Sequence, residues 1–239
     1  MTCRGILGIV LFYLGYPDQA LAQNNAAIAE ALRLAHPPSL SMTLTNICRL
    51  LRLMGDIAAM DARAGQVIAL SAEQGFPFWG ALGVIYRGWA RVSTGDVSEG
   101  KALLRNAVAN YRATGAELGV PLMLAFLAGA NEIAGQIEEA TTLLDEALQI
   151  VERTRERWYA AELNRQKGEL LLRQGDSEAA EQLYRDALGI AQEQEAKLWE
   201  LRAAMSLARL RRDQDCRAEA HDLLAPVYGW FTEGFDTLV

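Results

Sequence analysis

The sequence predicts an all-α solenoid of about six helical hairpins that follow one another at a period of forty residues. Three observations support it. Glycine recurs at Gly15, Gly55, Gly95, Gly135 and Gly175, each forty residues from the next, with Asp215 at the sixth position. Three further columns of mostly small residues hold register through six copies. The first is Gly8, Cys48, Gly88, Ala128, Gly168 and Ala208; twelve residues on come Ala20, Met60, Gly100, Ala140, Ala180 and Ala220; seven further come Ala27, Val67, Ala107, Ala147, Ala187 and Val227. Between the columns, apolar residues such as Leu170, Leu171, Ala180, Leu183, Tyr184 and Ala187 recur at three- and four-residue spacings, which put one apolar stripe on each of two helices per copy.

The elements follow from this punctuation. First helices are expected near 2–14, 39–54, 78–94, 118–134, 157–174 and 198–213, and second helices near 17–35, 57–74, 97–114, 137–154, 177–195 and 216–232. In the first copy, Arg4, the apolar run Ile6 to Leu14 and Ala20-Leu21-Ala22 also fit a secretory signal, but Gly8, Gly15, Ala20 and Ala27 belong to the repeat columns, which account for more of the segment. Copies two to four open at Pro37-Pro38, Pro77 and Pro121, at joints where a helix has to break. Within copies, the column glycine stands where the first helix stops and the chain turns back. Asp56, Asp96 and Asp176 follow it as N-caps of second helices. Small residues at the first two columns let the helices of a hairpin approach, and the third column lets the next hairpin stack. A lone hairpin cannot bury its apolar face, so the copies are expected to form a single domain over 1–239. Its repeats run at approximately 1–37, 38–76, 77–116, 117–156, 157–196 and 197–239, with first helices lining a concave face.

Composition narrows the function classes. The 239 residues are 51% hydrophobic and 22% charged, as in a chain with a packed core, and no Ser- or Gly-rich tract marks a linker. The net charge of −7 disfavours phosphate backbones and anionic headgroups, so neither nucleic acid nor membrane is expected as a partner. No apolar stretch approaches the ~20 residues of a membrane span. Cys3, Cys48 and Cys216 lie far apart, which signals neither a disulfide framework nor zinc and fits the cytoplasm.

Chemistry-bearing motifs are weak. Gly95-Asp-Val-Ser-Glu-Gly100-Lys101-Ala102 spells all but the last residue of a phosphate loop, but Ala102 lacks the magnesium-binding hydroxyl, a helical pattern precedes it, and both glycines are repeat columns. His36 and His221 fall in different copies without metal-ligand spacing around them, and neither G-x-S-x-G nor H-E-x-x-H occurs. Carboxylate pairs such as Glu138-Glu139 and Asp145-Glu146 fit helix starts and solvated faces better than acid–base catalysis. No catalytic residue, cofactor or metal site is therefore expected, and the chain is not expected to be an enzyme.

The column spacing, with Trp79, Trp158 and Trp199 near the starts of first helices, resembles the tetratricopeptide pattern at a longer period. Six strings resemble the C-terminal repeats of bacterial class III adenylate or guanylate cyclases that carry an ATPase module. They are Leu14-Gly-Tyr-Pro-Asp-Gln-Ala-Leu21, Glu73-Gln-Gly-Phe-Pro-Phe-Trp79, Arg112-Ala-Thr-Gly-Ala-Glu-Leu118, Glu162-Leu-Asn-Arg-Gln-Lys-Gly-Glu-Leu-Leu171, Trp199-Glu-Leu-Arg-Ala-Ala-Met-Ser-Leu-Ala-Arg209 and Leu224-Ala-Pro-Val-Tyr-Gly-Trp-Phe-Thr-Glu-Gly-Phe-Asp236. The resemblance implies a right-handed superhelix acting as a regulatory or sensor arm in signal transduction. The family's cyclase domain and P-loop ATPase have no counterpart here, so no catalytic or nucleotide-binding residue carries over. Met1 is then either the start of a short gene or the point where a longer protein was cut.

Charge is uneven along the chain: residues 1–120 hold 10 basic against 8 acidic groups, and 121–239 hold 13 against 22. Within the acidic half, Arg165, Arg173, Arg202, Arg209 and Arg212 fall on first helices at positions that a tetratricopeptide-like fold turns toward its concave groove. Guanidinium groups there could clamp a carboxylate or an acidic peptide. The plainer and preferred reading pairs them with Glu162, Glu169, Glu200 and Asp213 as bridges between helices. Tyr86, Trp89 and Phe126 are either an apolar extension of the groove or core. Tyr228, Trp230, Phe231 and Phe235 crowd the C-terminal end and predict self-association through exposed solenoid ends. Two functions follow: a protein-interaction scaffold that binds a protein or peptide segment, or a module that senses a small ligand in the groove.

Overall fold

A computed structural model of the chain describes residues 2–235. Asp236, the last residue of the sixth string above, lies outside them. The described residues contain twelve helices and no strand. These are α1 (Thr2–Tyr13), α2 (Pro17–Arg33), α3 (Pro37–Leu53), α4 (Ile57–Gln74), α5 (Pro77–Ser93), α6 (Val97–Ala113), α7 (Val120–Ile133), α8 (Ile137–Thr154), α9 (Ala160–Arg173), α10 (Ser177–Glu193), α11 (Lys197–Asp213) and α12 (Arg217–Tyr228). They form six hairpins at the expected period, and most boundaries fall within two residues of the sequence expectation. Two do not. Helix α9 starts at Ala160 because the Ala160 N–H turns back to the Arg157 carbonyl at 3.0 Å. Helix α12 ends at Tyr228, two residues after Pro226, whose ring removes a helical donor.

The turns are more regular than the glycines revealed. All six positions of the glycine column, Gly15 through Asp215, have positive φ. A second series lies between them, at Ala35, Gly75, Gly115, Arg155 and Glu195, again forty residues apart and again left-handed. Each of the first eleven helices thus ends at a left-handed residue twenty positions from the previous one, whereas α12 ends at Gly229 with right-handed backbone. Side chains at φ values of +45 to +62 crowd the following carbonyl, which glycine avoids. Ala35→Gly and Glu195→Gly are each expected to raise stability by about 0.5–1 kcal/mol in urea unfolding. The same change one residue earlier, at Leu34, should lower it.

Helix starts use two devices. Pro17, Pro37 and Pro77 occupy the first helical position, where the missing N–H costs nothing. Asp56 and Asp176 accept the N–H of Ala59 and Ala179, each at 3.0 Å. The expectation for Asp96 is corrected: it holds the cap position of α6, but its carboxylate makes no capping bond.

The twelve-residue offset between the first two columns is a physical contact. A Cβ on Gly8 would stand 2.9 Å from the Ala20 carbonyl, one on Gly88 3.1 Å from the Gly100 carbonyl, and one on Gly168 3.2 Å from the Ala180 carbonyl. The Cys48 thiol donates to the Met60 carbonyl at 3.8 Å in the same place. Burial pushes the Cys48 thiol up to about 12, with Arg63 opposing, so it stays protonated and acts as a small packing residue. The phosphate-loop string is resolved the same way, since Gly95 is a turn residue, α5 rather than a strand precedes it, and Gly100 is packed against α5.

The described residues fall into two compact units. One comprises residues 2–12, 16–117 and 233–235, with Ile47, Leu50, Met60, Ile85, Tyr86 and Leu104 in its core. In it, Glu233 accepts the backbone N–H groups of Asp18 and Gln19 at 3.0 and 3.1 Å, which satisfies two open donors at the start of α2. The other comprises Tyr13–Gly15 and Leu118–Thr232, with Met123, Phe126, Leu144, Tyr159, Tyr184 and Trp199 in its core. Among the described residues, no helix is long and apolar enough to cross a membrane.

Candidate functional site

The charged side chains of the second unit are organised by the repeat. Glu162, in the first turn of α9, and Arg202, in α11, stand forty residues apart in one column, so stacking brings them together. Arg202 donates from Nε and Nη2 to both Glu162 oxygens at 3.1 and 3.0 Å. Arg165, one turn along α9, does the same from Nε and Nη2 at 2.8 Å each. Two guanidinium forks thus hold one carboxylate that is only 2% exposed. Burial alone would raise the Glu162 carboxyl, but Arg165 and Arg202 outweigh it and hold the group well below the usual carboxylate range. Arg165 also bonds Glu169, and Ser206 of α11 lies 3.4 Å from Arg165 and 3.5 Å from Glu169.

The other junctions use single pairs. Lys167 on α9 meets Asp145 of α8 at 2.6 Å, and Arg173 meets Glu132 of α7 at 3.0 Å. Burial raises the Glu132 carboxyl, partly offset by Arg173. Arg211 on α11 pairs with Glu181 of α10. Glu200, expected to pair with an arginine, is instead bonded by Lys197 at 2.6 Å.

The five sequence-predicted arginines therefore separate. Arg165 and Arg202 are structural, and Arg173 forms a surface pair. Arg209 and Arg212 line a cavity of about 690 Å³ between α11 and α12, with Met205, Ala208, Ala220 and Leu224 as its apolar floor. The same cavity receives Arg217 and His221 from α12; the sequence reading weighed His221 only as a metal ligand and did not single out Arg217. The signal was available, because they stand forty residues after Ser177 and Glu181. Arg212 bonds Asp213 at 2.8 Å and His221 faces Asp222 at 3.3 Å, whereas no ion pair or hydrogen bond engages Arg209 or Arg217 among the described residues.

The aromatic candidates lie elsewhere. In the first unit, Tyr86 is 1% exposed, while Trp89 is half-buried with the Arg52 guanidinium 4.9 Å above its ring. In the second unit, Phe126 is fully buried. Tyr86 and Phe126 thus serve as core and offer no ring face to a ligand. A separate aromatic cluster gathers Tyr13 against Trp199 and Trp158, with ring centroids 5.2 and 6.1 Å away, and Tyr159 against Trp199 at 5.4 Å. Tyr228, Trp230 and Phe235 are exposed, and Trp230 lies 4.9 Å from the Lys197 ammonium. No group of three or more metal-ligating side chains occurs among the described residues.

Comparison with known proteins agrees with this geometry. The tetratricopeptide repeat family model matches residues 119–193. An uncharacterized protein of Rhizobium meliloti (strain 1021) is 25% identical over 207 residues, 86% of this chain and 20% of that protein. The chain thus spans about a fifth of the length of the curated relative it matches. Among solved structures, the apo form of RapI superposes with a TM-score of 0.69 at 11% identity, covering 95% of this chain and 81% of that one. BtubC from P. vanneervenii gives 0.63 at 16% identity, with 90% of each chain covered. A signal transduction ATPase with numerous domains and a tetratricopeptide repeat sensor, from Pyrococcus horikoshii, gives 0.55 at 13% identity over 94% of this chain and 35% of its own. At these identities the likeness is one of fold. The chain has an all-α, tetratricopeptide-like solenoid fold.

Proposed function

We propose that the chain is a non-catalytic protein-interaction scaffold, the regulatory arm of a bacterial cyclase-ATPase signalling protein, and that its six repeats act as one domain in the cytoplasm. The observation that carries this reading is the tetratricopeptide repeat match over 119–193, together with hairpin packing of the same kind outside the matched residues. Tetratricopeptide repeats typically mediate contacts between proteins. The strings quoted above, the large size of the Rhizobium relative and the sensor repeats of the Pyrococcus ATPase support the arm context. Partners are protein or peptide segments, acidic ones included, and the exposed aromatic residues at the C-terminal end favour self-association. Arg209 and Arg212 are the candidate groove residues that remain open to a partner, with Trp89 as a partly accessible aromatic.

The coding frame upstream of Met1 tests the arm reading. An uninterrupted frame encoding a P-loop ATPase is the expected result, and a stop codon followed by a ribosome-binding site would overturn it. A small-ligand sensor is the second reading, favoured by the 690 Å³ cavity. It requires thermal stabilisation by a small molecule with no protein partner present.

A further inference from the structure

We propose that the cavity between α11 and α12 is a seat for an acidic amphipathic helix of a partner protein. The inference deepens the scaffold reading and rests on it. Its geometry comes from the preceding repeat. There, the surface of α9 and α10 receives α11: Leu207 and Leu210 pack on Ala180 and Tyr184, Arg211 pairs with Glu181, and Ser206 meets Arg165 and Glu169. Forty residues later, the equivalents of that receiving surface are the residues that line the cavity. The floor is kept, because Gly168 becomes Ala208, Ala180 becomes Ala220 and Tyr184 becomes Leu224.

The charge is not kept. Glu169 is replaced by Arg209 and Glu181 by His221, while Arg217 stands where α10 has Ser177 and Arg212 where α9 has Leu172. At three junctions within the two units, the receiving second helix supplies a carboxylate and the incoming first helix a cation. These pairs are Asp61 with Arg87 at 3.5 Å, Asp145 with Lys167 at 2.6 Å, and Glu181 with Arg211. On the α11–α12 surface the cations are on the receiving side. A helix that fills it must offer two apolar residues three apart, as Leu207 and Leu210 do, and carboxylates where α11 carries Ser206 and Arg211, whose partners Glu169 and Glu181 become Arg209 and His221. Helix α1 of a second copy is the wrong occupant: Ile6, Leu7 and Val10 give it an exposed apolar face, but it holds Arg4 and no acidic residue. The open guanidinium groups of Arg209 and Arg217 select charge, and the Met205–Leu224 floor selects an apolar stripe.

The probe is a labelled peptide with the α11 sequence, Lys197–Asp213, carrying Ser206→Glu and Arg211→Glu, measured by fluorescence anisotropy against the full chain. It should bind at least tenfold more tightly than the unaltered α11 peptide, and the difference should shrink in high salt. Arg209→Glu with Arg217→Glu in the chain should reverse the preference; both side chains are exposed, so the circular dichroism spectrum and melting midpoint should not move. Equal binding of the two peptides would overturn the proposal, as would an acidic peptide whose affinity ignores the double variant. So would a dimer in sedimentation that the acidic peptide dissociates and Leu7→Glu abolishes, since the occupant would then be a second copy. None of these failures touches the arm reading, which the coding frame decides separately.

Discussion

Glu162→Gln should lower stability by about 3–5 kcal/mol at pH 7, the cost of breaking a buried ion pair from one side. Glutamine keeps the shape of the side chain but leaves one carbonyl oxygen for two guanidinium forks. Arg165, itself nearly buried, and Arg202 would then face each other with no anion between them. The melting midpoint should fall by on the order of 10 °C in a chain of this length. The pH dependence has a definite sign. The Glu162 carboxyl is held below its unfolded value of about 4.3, so its contribution is complete above that value and is lost as pH falls toward the folded one. The gap between the unaltered chain and the variant, read by urea unfolding at pH 7, 5 and 3.5, should therefore be constant between the first two and narrower at the third. A gap under 1 kcal/mol at pH 7 would mean that water, not the two arginines, solvates the carboxylate. Arg202→Glu would be costly for the same reason, so it cannot serve as a test of ligand binding.

Gly100→Ala should cost about 2–3 kcal/mol, although alanine ordinarily stabilises a helix interior by up to about 1 kcal/mol over glycine. Its Cβ would stand 2.5 Å from Val92 Cγ2, 2.7 Å from the Gly88 carbonyl oxygen and 2.8 Å from the Val92 nitrogen. Two of those atoms are backbone, so relief requires α5 and α6 to move apart along their whole contact. Gly189→Ala is the internal control. That glycine is exposed in α10 with open space around it, and the same substitution should raise stability by about 0.5–1 kcal/mol. Opposite signs in parallel thermal melts would show that contact, not propensity, sets the glycine at position 100; equal gains would refute the close packing.

Much of the fold was legible because it repeats. A glycine every forty residues and two small-residue columns twelve apart are hard to produce by chance, and both proved to be geometric, one a turn and the other a helix crossing. The second series of turns was hidden because Ala35, Arg155 and Glu195 carry side chains where glycine would have announced the left-handed backbone. The start of α9 was missed because Arg157 to Tyr159 contain no helix breaker. Asp96 has the right residue type at the right position, and only its side-chain direction, which sequence does not encode locally, denies it the cap.

The candidate site was less legible. Helical periodicity places a residue on a face to within about 100° per position, which does not separate a side chain aimed at open groove from one aimed at the next helix. Arg202 and Arg209 differ in this way: one is locked on Glu162 and the other lines a cavity. Tyr86 and Phe126 carry the same ambiguity and resolve as core. Arg217 was not singled out and His221 was weighed only as a metal ligand because both sit on a second helix, and their place in the cavity emerges only when each is set beside the residue forty positions before it.

A chain that reverses at a left-handed residue every twenty positions also has a natural unit of length change. Joining Gly55 directly to Asp96 would excise forty residues and leave every later side chain in the same column, with small residues still opposite small residues. Excising thirty-nine would turn all downstream positions of the interrupted helix by about 100°, exchanging crossing residues for surface ones. Growth or shrinkage of this protein is therefore quantised: whole hairpins can be copied or dropped, while a single inserted residue within a helix reads as a frameshift in the packing.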